Sequence, residues 1–241
     1  AIGERHAQPV ASLPWSRVAE AAGGGATAPQ SLAAPRFLRE SEAKRRLADF
    51  GLDVPASLEC ALREAADAAV RIGFPVVLKI ADERIAHKSD VGGVVLGLRS
   101  ADEVAAAATH MAALGDRVLV EQMVGGAVAE LIVGVVRDPQ YGFALLIGAG
   151  GVLAELIKDS VTLLLPATRA DIERAVKRLR AWTLIEGHRG RHGDPESVLR
   201  AIEAIARFAE AHRERLLELD VNPLLALPDR AVAVDALIKT R

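Results

Sequence analysis

From Glu40 onward, glycine and proline cut the chain into short segments whose hydrophobic repeat keeps switching between that of a helix and that of a strand. This switching constrains the fold most, because period 3.6 and period 2 bury apolar residues on surfaces of different shape. Residues 41–50 place Ala43, Leu47 and Phe50 on one side of a helix that Gly51 stops. Residues 54–58 read as extended, and 61–72 as an alanine-rich helix ended by Gly73. Pro75 opens a buried strand at 76–80, and a polar, glycine-bearing loop separates it from a second strand at 94–98. A helix at 101–114 and a strand at 117–123 follow. The second half reads as strands at 128–136, 143–147 and 152–157, then helices at 169–180 and 194–210. It closes on strands at 216–221 and 231–237, joined by an Asn-Pro turn and a Pro-Asp-Arg tip. Helices and strands mix without a strict β-α-β rhythm, so the expected class is α+β.

Residues 1–39 differ in kind. Pro9, Pro14, Pro29 and Pro35 punctuate them, with glycines at 23–25, as expected of an arm or linker holding at most a short helix near 18–22. The remainder, 40–241, reads as one domain. A formal charge of -2 argues against a nucleic-acid partner, which needs a basic stripe. The single cysteine, Cys60, excludes an internal disulfide and suits a cytoplasmic setting. No apolar run reaches the ~18 residues of a membrane span.

Three groups of residues carry chemistry. Lys79 stands inside the apolar run Pro75-Val-Val-Leu-Lys-Ile. A buried ammonium needs an anion, although a lysine reaching out of an edge strand would need none. Eight residues on, His87-Lys88-Ser89-Asp90-Val91-Gly92-Gly93-Val94 joins paired glycines to three donor side chains. Such a loop lets backbone amides approach an anion, or is an ordinary solvated hairpin. At the C-terminus, Glu218 and Asp220 share one strand face, and Asn222 and Asp235 lie near the facing ends of two strands. One carboxylate and one carboxamide suit Mg²⁺, which fills its octahedron with water and phosphate oxygens. A turn and a surface carboxylate are the alternatives.

In this order the three groups resemble the ATP-grasp nucleotide-binding domain of NDP-forming acyl-CoA synthetases, which include ADP-forming acetate–CoA ligases and the succinyl-CoA synthetase β subunit. The likeness spans about residues 40–238. It is most specific at 87–94, at Gly187-His188-Arg189-Gly190 and at Glu218-Leu-Asp-Val-Asn-Pro-Leu224.

The resemblance implies two α+β subdomains, about 40–119 and 120–238, with the nucleotide cleft between them. It implies that Lys79 contacts the phosphates of ATP or ADP and that His87, Lys88, Ser89, Gly92 and Gly93 form a flap over them. Glu121, Gln122 and Met123 correspond to the hinge that reads adenine, Glu130 to a ribose-side acid, and Asn222 and Asp235 to the Mg²⁺ ligands. Catalytic roles fall to Lys79 and His87, the latter either relaying phosphate or only hydrogen-bonding it. Arg189 either binds phosphate or organises its loop.

The implied reaction interconverts acyl-CoA, ADP and phosphate with the free acid, CoA and ATP. It works with a separate CoA-binding α-type subunit or domain that carries a phosphorylated histidine and handles the small-molecule acid. The alternative is a non-catalytic ATP-grasp-like regulatory domain of a protein lysine acetyltransferase, and a carboxylate–amine ligase is a weaker third. Departures from the family pattern are Tyr141-Gly-Phe143 in place of Phe-Gly-Pro and Ala149 in Gly148-Ala-Gly-Gly151. The acid itself, and ADP against GDP, are not legible.

Overall fold

A computed structural model describes residues 35–82, 85, 88–151 and 159–241. The expected arm over 1–34, its short helix, the strand at 152–157 and His87 lie outside the described residues. Two antiparallel sheets organise the rest. The smaller contains β2 (Ser57–Ala61), β3 (Val76–Ile80), β4 (Val94–Leu98) and β5 (Arg117–Gln122), in the order β2-β5-β3-β4. The larger contains β1 (Arg36–Phe37), β6 (Ala129–Asp138), β7 (Gly142–Ala149), β8 (Ser160–Leu164), β9 (Leu216–Ala226), β10 (Ala231–Ala233) and β11 (Ala236–Thr240). Its order is β1-β11-β9-β6-β7-β8, with β10 paired to β9.

Each sheet is covered by helices that bury one face. On the smaller, α2 (Ala65–Ile72) and α3 (Ala101–Met111) bring Ala65, Ala69, Val104 and Met111 against Val76, Leu78, Ile80 and Val120. The start of α3 is fixed by Ser100, whose hydroxyl accepts the Glu103 amide at 3.2 Å. On the larger, α4 (Arg169–Val176), α5 (Arg180–Glu186) and α6 (Pro195–Ala211) supply Ile172, Trp182, Ile202, Ile205 and Phe208. Asp194 caps α6 by accepting the Glu196 amide at 3.0 Å, and Pro195 supplies a first-turn residue whose missing N–H is not needed. The first helix, α1 (Glu40–Ala48), also joins this larger core through Ala43 and Leu47. Its apolar side therefore packs with the second half of the chain, while Glu40, Ser41 and Lys44 reach the smaller sheet that follows it.

The α+β class is as expected, and β3 and β4 fall where the sequence put them. The differences have local causes. The helix expected over 61–72 starts with a single 3-10 turn at Leu62–Glu64. The one over 169–180 divides into α4 and α5, with Leu179 buried at the break. Asn222-Pro223 is not a turn. It lies within β9, which continues to Ala226, and the chain reverses only at the Pro-Asp-Arg tip, where Leu227 N–H donates to Arg230 O at 2.8 Å. The last expected strand is interrupted at Val234 and Asp235, between β10 and β11. Among the described residues no helix is long and apolar enough to cross a membrane.

Candidate functional site

Lys79 does not reach out of an edge. β3 runs between β5 and β4, and Lys79, on the face away from Leu78 and Ile80, is only 7% exposed. Its ammonium donates to Glu40 Oε1 at 2.6 Å and to the Val234 carbonyl at 2.7 Å, and pairs with Glu121 Oε1 at 3.1 Å. Lys44, one helical turn after Glu40, donates to Glu40 Oε1 at 2.9 Å and makes a close contact with Glu121 Oε2. Two ammoniums and two carboxylates thus alternate around a closed ring. The ring joins α1 of the larger core to β3 and β5 of the smaller. Lys88 adds a third cation, its Nζ 2.5 Å from Glu40 Oε2.

The ring explains how these charges survive burial. Burial alone would raise the Glu40 pKa, but Lys79, then Lys44 and Lys88, outweigh it and hold the carboxyl well below the usual range. For Lys79, burial would lower the pKa, yet Glu40, Asp235 and Glu121 together push it above the ordinary lysine value. Both groups stay ionised at neutral pH.

The Val234 carbonyl that accepts from Lys79 belongs to the residue before Asp235. Asn222 N–H donates to Asp235 O at 3.3 Å, just beyond the Val221–Ala236 pair of β9 and β11. Lys79, Asn222 and Asp235 therefore meet in one place, the junction of the two lobes. The Asp235 side chain keeps solvent access, yet enough protein surrounds its carboxyl for desolvation to weigh on it. Burial, then the Glu40 carboxylate, raises its pKa, against the pull of Lys79, Lys88 and Lys44. Asp220, on the same face of β9 as Glu218 and Asn222, is pushed up to about 7 by burial, then by Asp235 and Glu218. Carboxylates that resist ionisation side by side are what a cation relieves. Among the described residues no three His, Cys, Asp or Glu side chains gather as a metal cluster. An Asn and an Asp fit Mg²⁺, which needs few protein ligands, better than a metal held by a full protein cage.

Of the flap, Lys88 is tied to this junction through Glu40. Lys88 opens a 3-10 turn, Lys88–Val91, that also contains Ser89. Gly92 has φ +72°, and Gly93 N–H returns to Lys88 O at 2.7 Å. A Cβ on Gly93 would meet Ile80 Cγ2 at 2.7 Å and Lys88 O at 2.9 Å, so the backbone approach excludes a side chain there. Glu121 is buried in the ring, and Gln122 and Met123 follow at the exposed end of β5. Their amides are already donated, to Ala56 O at 2.9 Å and Pro75 O at 3.0 Å. Glu130 has other surroundings: its carbonyl accepts from Gly150 N–H at 2.7 Å. Residues 188–191 form a tight exposed turn closed by two backbone hydrogen bonds between His188 and Arg191, with Arg189 at φ +51°.

Sequence reading passed over Glu40 and Lys44, whose i,i+4 spacing looks like any exposed helical pair. The signal available was their place on the otherwise apolar side of α1, beside Ala43 and Leu47.

Comparison with known proteins shows the family. A family model described as an ATP-grasp domain matches residues 32–240. The chain is 37% identical over 205 residues to the ADP-forming acetate–CoA ligase II of Archaeoglobus fulgidus, covering 84% of this chain and 30% of that protein. It is 32% identical over 212 residues to the β subunit of the ADP-forming acetate–CoA ligase I of Pyrococcus furiosus, covering 83% of this chain and 90% of that subunit. It thus spans about a third of the first relative and nearly all of the second. A Ca. Korarchaeum cryptofilum dinucleotide-forming acetyl-coenzyme A synthetase 1 superposes with a TM-score of 0.76 at 37% identity, covering 86% of this chain and 93% of that one. That structure was solved with coenzyme A and Mg-AMPPCP, its phosphohistidine segment pointing towards the nucleotide-binding site.

Proposed function

The chain belongs to the ATP-grasp family, in the branch found in ADP-forming acyl-CoA synthetases, and we propose that it is the nucleotide-binding, phosphoryl-transferring part of such an enzyme. The reaction is acyl-CoA, ADP and phosphate to free acid, CoA and ATP. A CoA-binding partner, as a subunit or a fused domain, supplies the acyl chemistry and the histidine that carries the phosphoryl group. The observation that supports this most is the contact of Lys79 with the Val234 carbonyl, which seats the strand ammonium beside Asp235 and Asn222.

The transferred phosphoryl group keeps its charge on its oxygens, so catalysis here is positioning and charge neutralisation. Lys79 and Lys88 face the phosphates from the smaller lobe. Asn222 and Asp235 hold Mg²⁺ from the larger, and the bound ion supplies neutralisation of the phosphate charge. Ser89, Gly92 and Gly93 cover the phosphates and exclude water. His87 belongs to the same loop, as a phosphate relay or as a hydrogen-bond donor. The end of β5 reads the base. With the Gln122 and Met123 amides engaged, carbonyl oxygens are the groups left there for an adenine amino group, and Met123 offers an apolar surface. Glu130 takes the ribose side. A reducing cytoplasm suits the free Cys60.

The matched relatives are CoA ligases, which favours this reading over a regulatory acetyltransferase domain. Calorimetric titration with Mg-ATP of the wild type, Lys79→Ala and Asp235→Ala tests the site. Both variants should bind at least about tenfold more weakly, the scale of a lost charge-assisted contact. Equal affinity in all three would remove it.

A further inference from the structure

Glu40 touches both lysines assigned above to the phosphates, yet it has no part in that assignment. One carboxylate oxygen accepts from Lys79 at 2.6 Å, and the other lies 2.5 Å from the Lys88 ammonium. A carboxylate bridging two ammoniums presents them with what the edge of a phosphate would: two anionic oxygens side by side. The lysines come from the smaller sheet and its loop, whereas Glu40 comes from α1, which is packed in the larger core.

We infer that Glu40 is a resident anion occupying the Lys79–Lys88 seat, and that on nucleotide binding Lys88 exchanges its Glu40 contact for a phosphate oxygen. This rests on the reading of Lys79 and Lys88 as phosphate-facing. Lys88 is the partner that moves, because its side chain is 18% exposed and Lys79 is also held by the Val234 carbonyl and Glu121. The exchange strands no buried charge. After Lys88 leaves, Glu40 still has Lys79 and Lys44 on its other oxygen, and a buried carboxylate is costly only when left without a cation. Glu40 thus acts as a positioning residue: it keeps the two lysines together in the empty site and competes with the incoming phosphate for one of them.

The exchange is measured by titrating Mg-ATP into the full chain as wild type, Glu40→Gln, Lys88→Met and the double variant. If the Glu40–Lys88 contact breaks on binding, removing Glu40 favours binding only where Lys88 is present. The ratio of dissociation constants, wild type over Glu40→Gln, should then exceed the same ratio in the Lys88→Met background by about fivefold, a typical ion-pair coupling. Equal ratios, or an inverse one, would overturn the inference and leave Glu40 a structural residue. Should the carboxamide unfold the chain, Glu40→Asp keeps the charge but shortens the reach to Lys88, and the same two ratios decide. Failure of the wild type to bind Mg-ATP would overturn the phosphate reading as well, whereas binding with equal ratios would overturn this inference alone.

Discussion

Lys44 is the perturbation that reports most directly on the ring. The ring contains two ammoniums, Lys44 and Lys79, and two carboxylates, Glu40 and Glu121, all buried. Lys44→Met keeps the length of the side chain and removes the charge, leaving one ring ammonium against two carboxylates. Breaking a buried pair in this way costs ~3–5 kcal/mol. For a chain of this length that lowers Tm by ~6–20 °C. Replacing Glu121 as well, in Lys44→Met/Glu121→Met, leaves Lys79 and Glu40 as a balanced pair and should restore more than half of the loss, because apolar groups then face each other where charges did. Urea unfolding of the wild type, both single variants and the double variant gives the coupling energy. A Lys44→Met protein within ~0.5 kcal/mol of the wild type, the range of ordinary surface substitutions, would refute the reasoning. So would strictly additive losses in the double variant.

Other expectations follow from single contacts. Gly93→Ala forces its Cβ onto Ile80 and the Lys88 carbonyl, so Mg-ATP affinity should fall along with ~1–3 kcal/mol of stability, measured by calorimetry and urea unfolding. Gly150→Ala presses on the Glu130 backbone at 3.1 Å and should weaken nucleotide binding with a smaller loss of Tm than Gly93→Ala. Asp220 has a folded pKa of about 7, above its ordinary value, so its stabilising contribution is complete below pH ~4 and is lost as pH rises through about 7. With EDTA present, Asp220→Asn should remove that slope and make the protein ~2 kcal/mol more stable than wild type at pH 8, after discounting for partial exposure. Mg²⁺ added to the wild type should lower the titration midpoint of Asp220, followed by carboxyl NMR. Thr168→Ala deletes the hydroxyl that caps α4 and should cost ~1 kcal/mol in thermal unfolding.

What the sequence disclosed depended on how local the determining physics was. β3, β4 and α6 were legible because an apolar period, a proline and a capping aspartate lie within a few residues of one another. Lys79 was legible because a charge inside an apolar strand is anomalous wherever that strand lies. The partners of Lys79 were not. Glu40 is 39 residues away and Glu121 is 42 residues in the other direction, and only the packing of α1 on the far core brings them together. Asn222-Pro223 misled for a related reason: the dipeptide favours a turn locally, while pairing of β9 with β6 and β10 on either side of it keeps the strand going. The approach of Asn222 to Asp235, seen in the Asn222 N–H bond to Asp235 O, needs only that the two terminal strands pair.

The most direct test is a crystal structure of the chain with Mn²⁺ and a non-hydrolysable ATP analogue, read by the anomalous signal of the metal. A single peak about 2.1 Å from carboxylate and carboxamide oxygens of Asp235 and Asn222 is expected. The phosphates should lie between that peak and the ammoniums of Lys79 and Lys88. A metal peak elsewhere, or phosphates out of reach of Lys79, would contradict the proposed site.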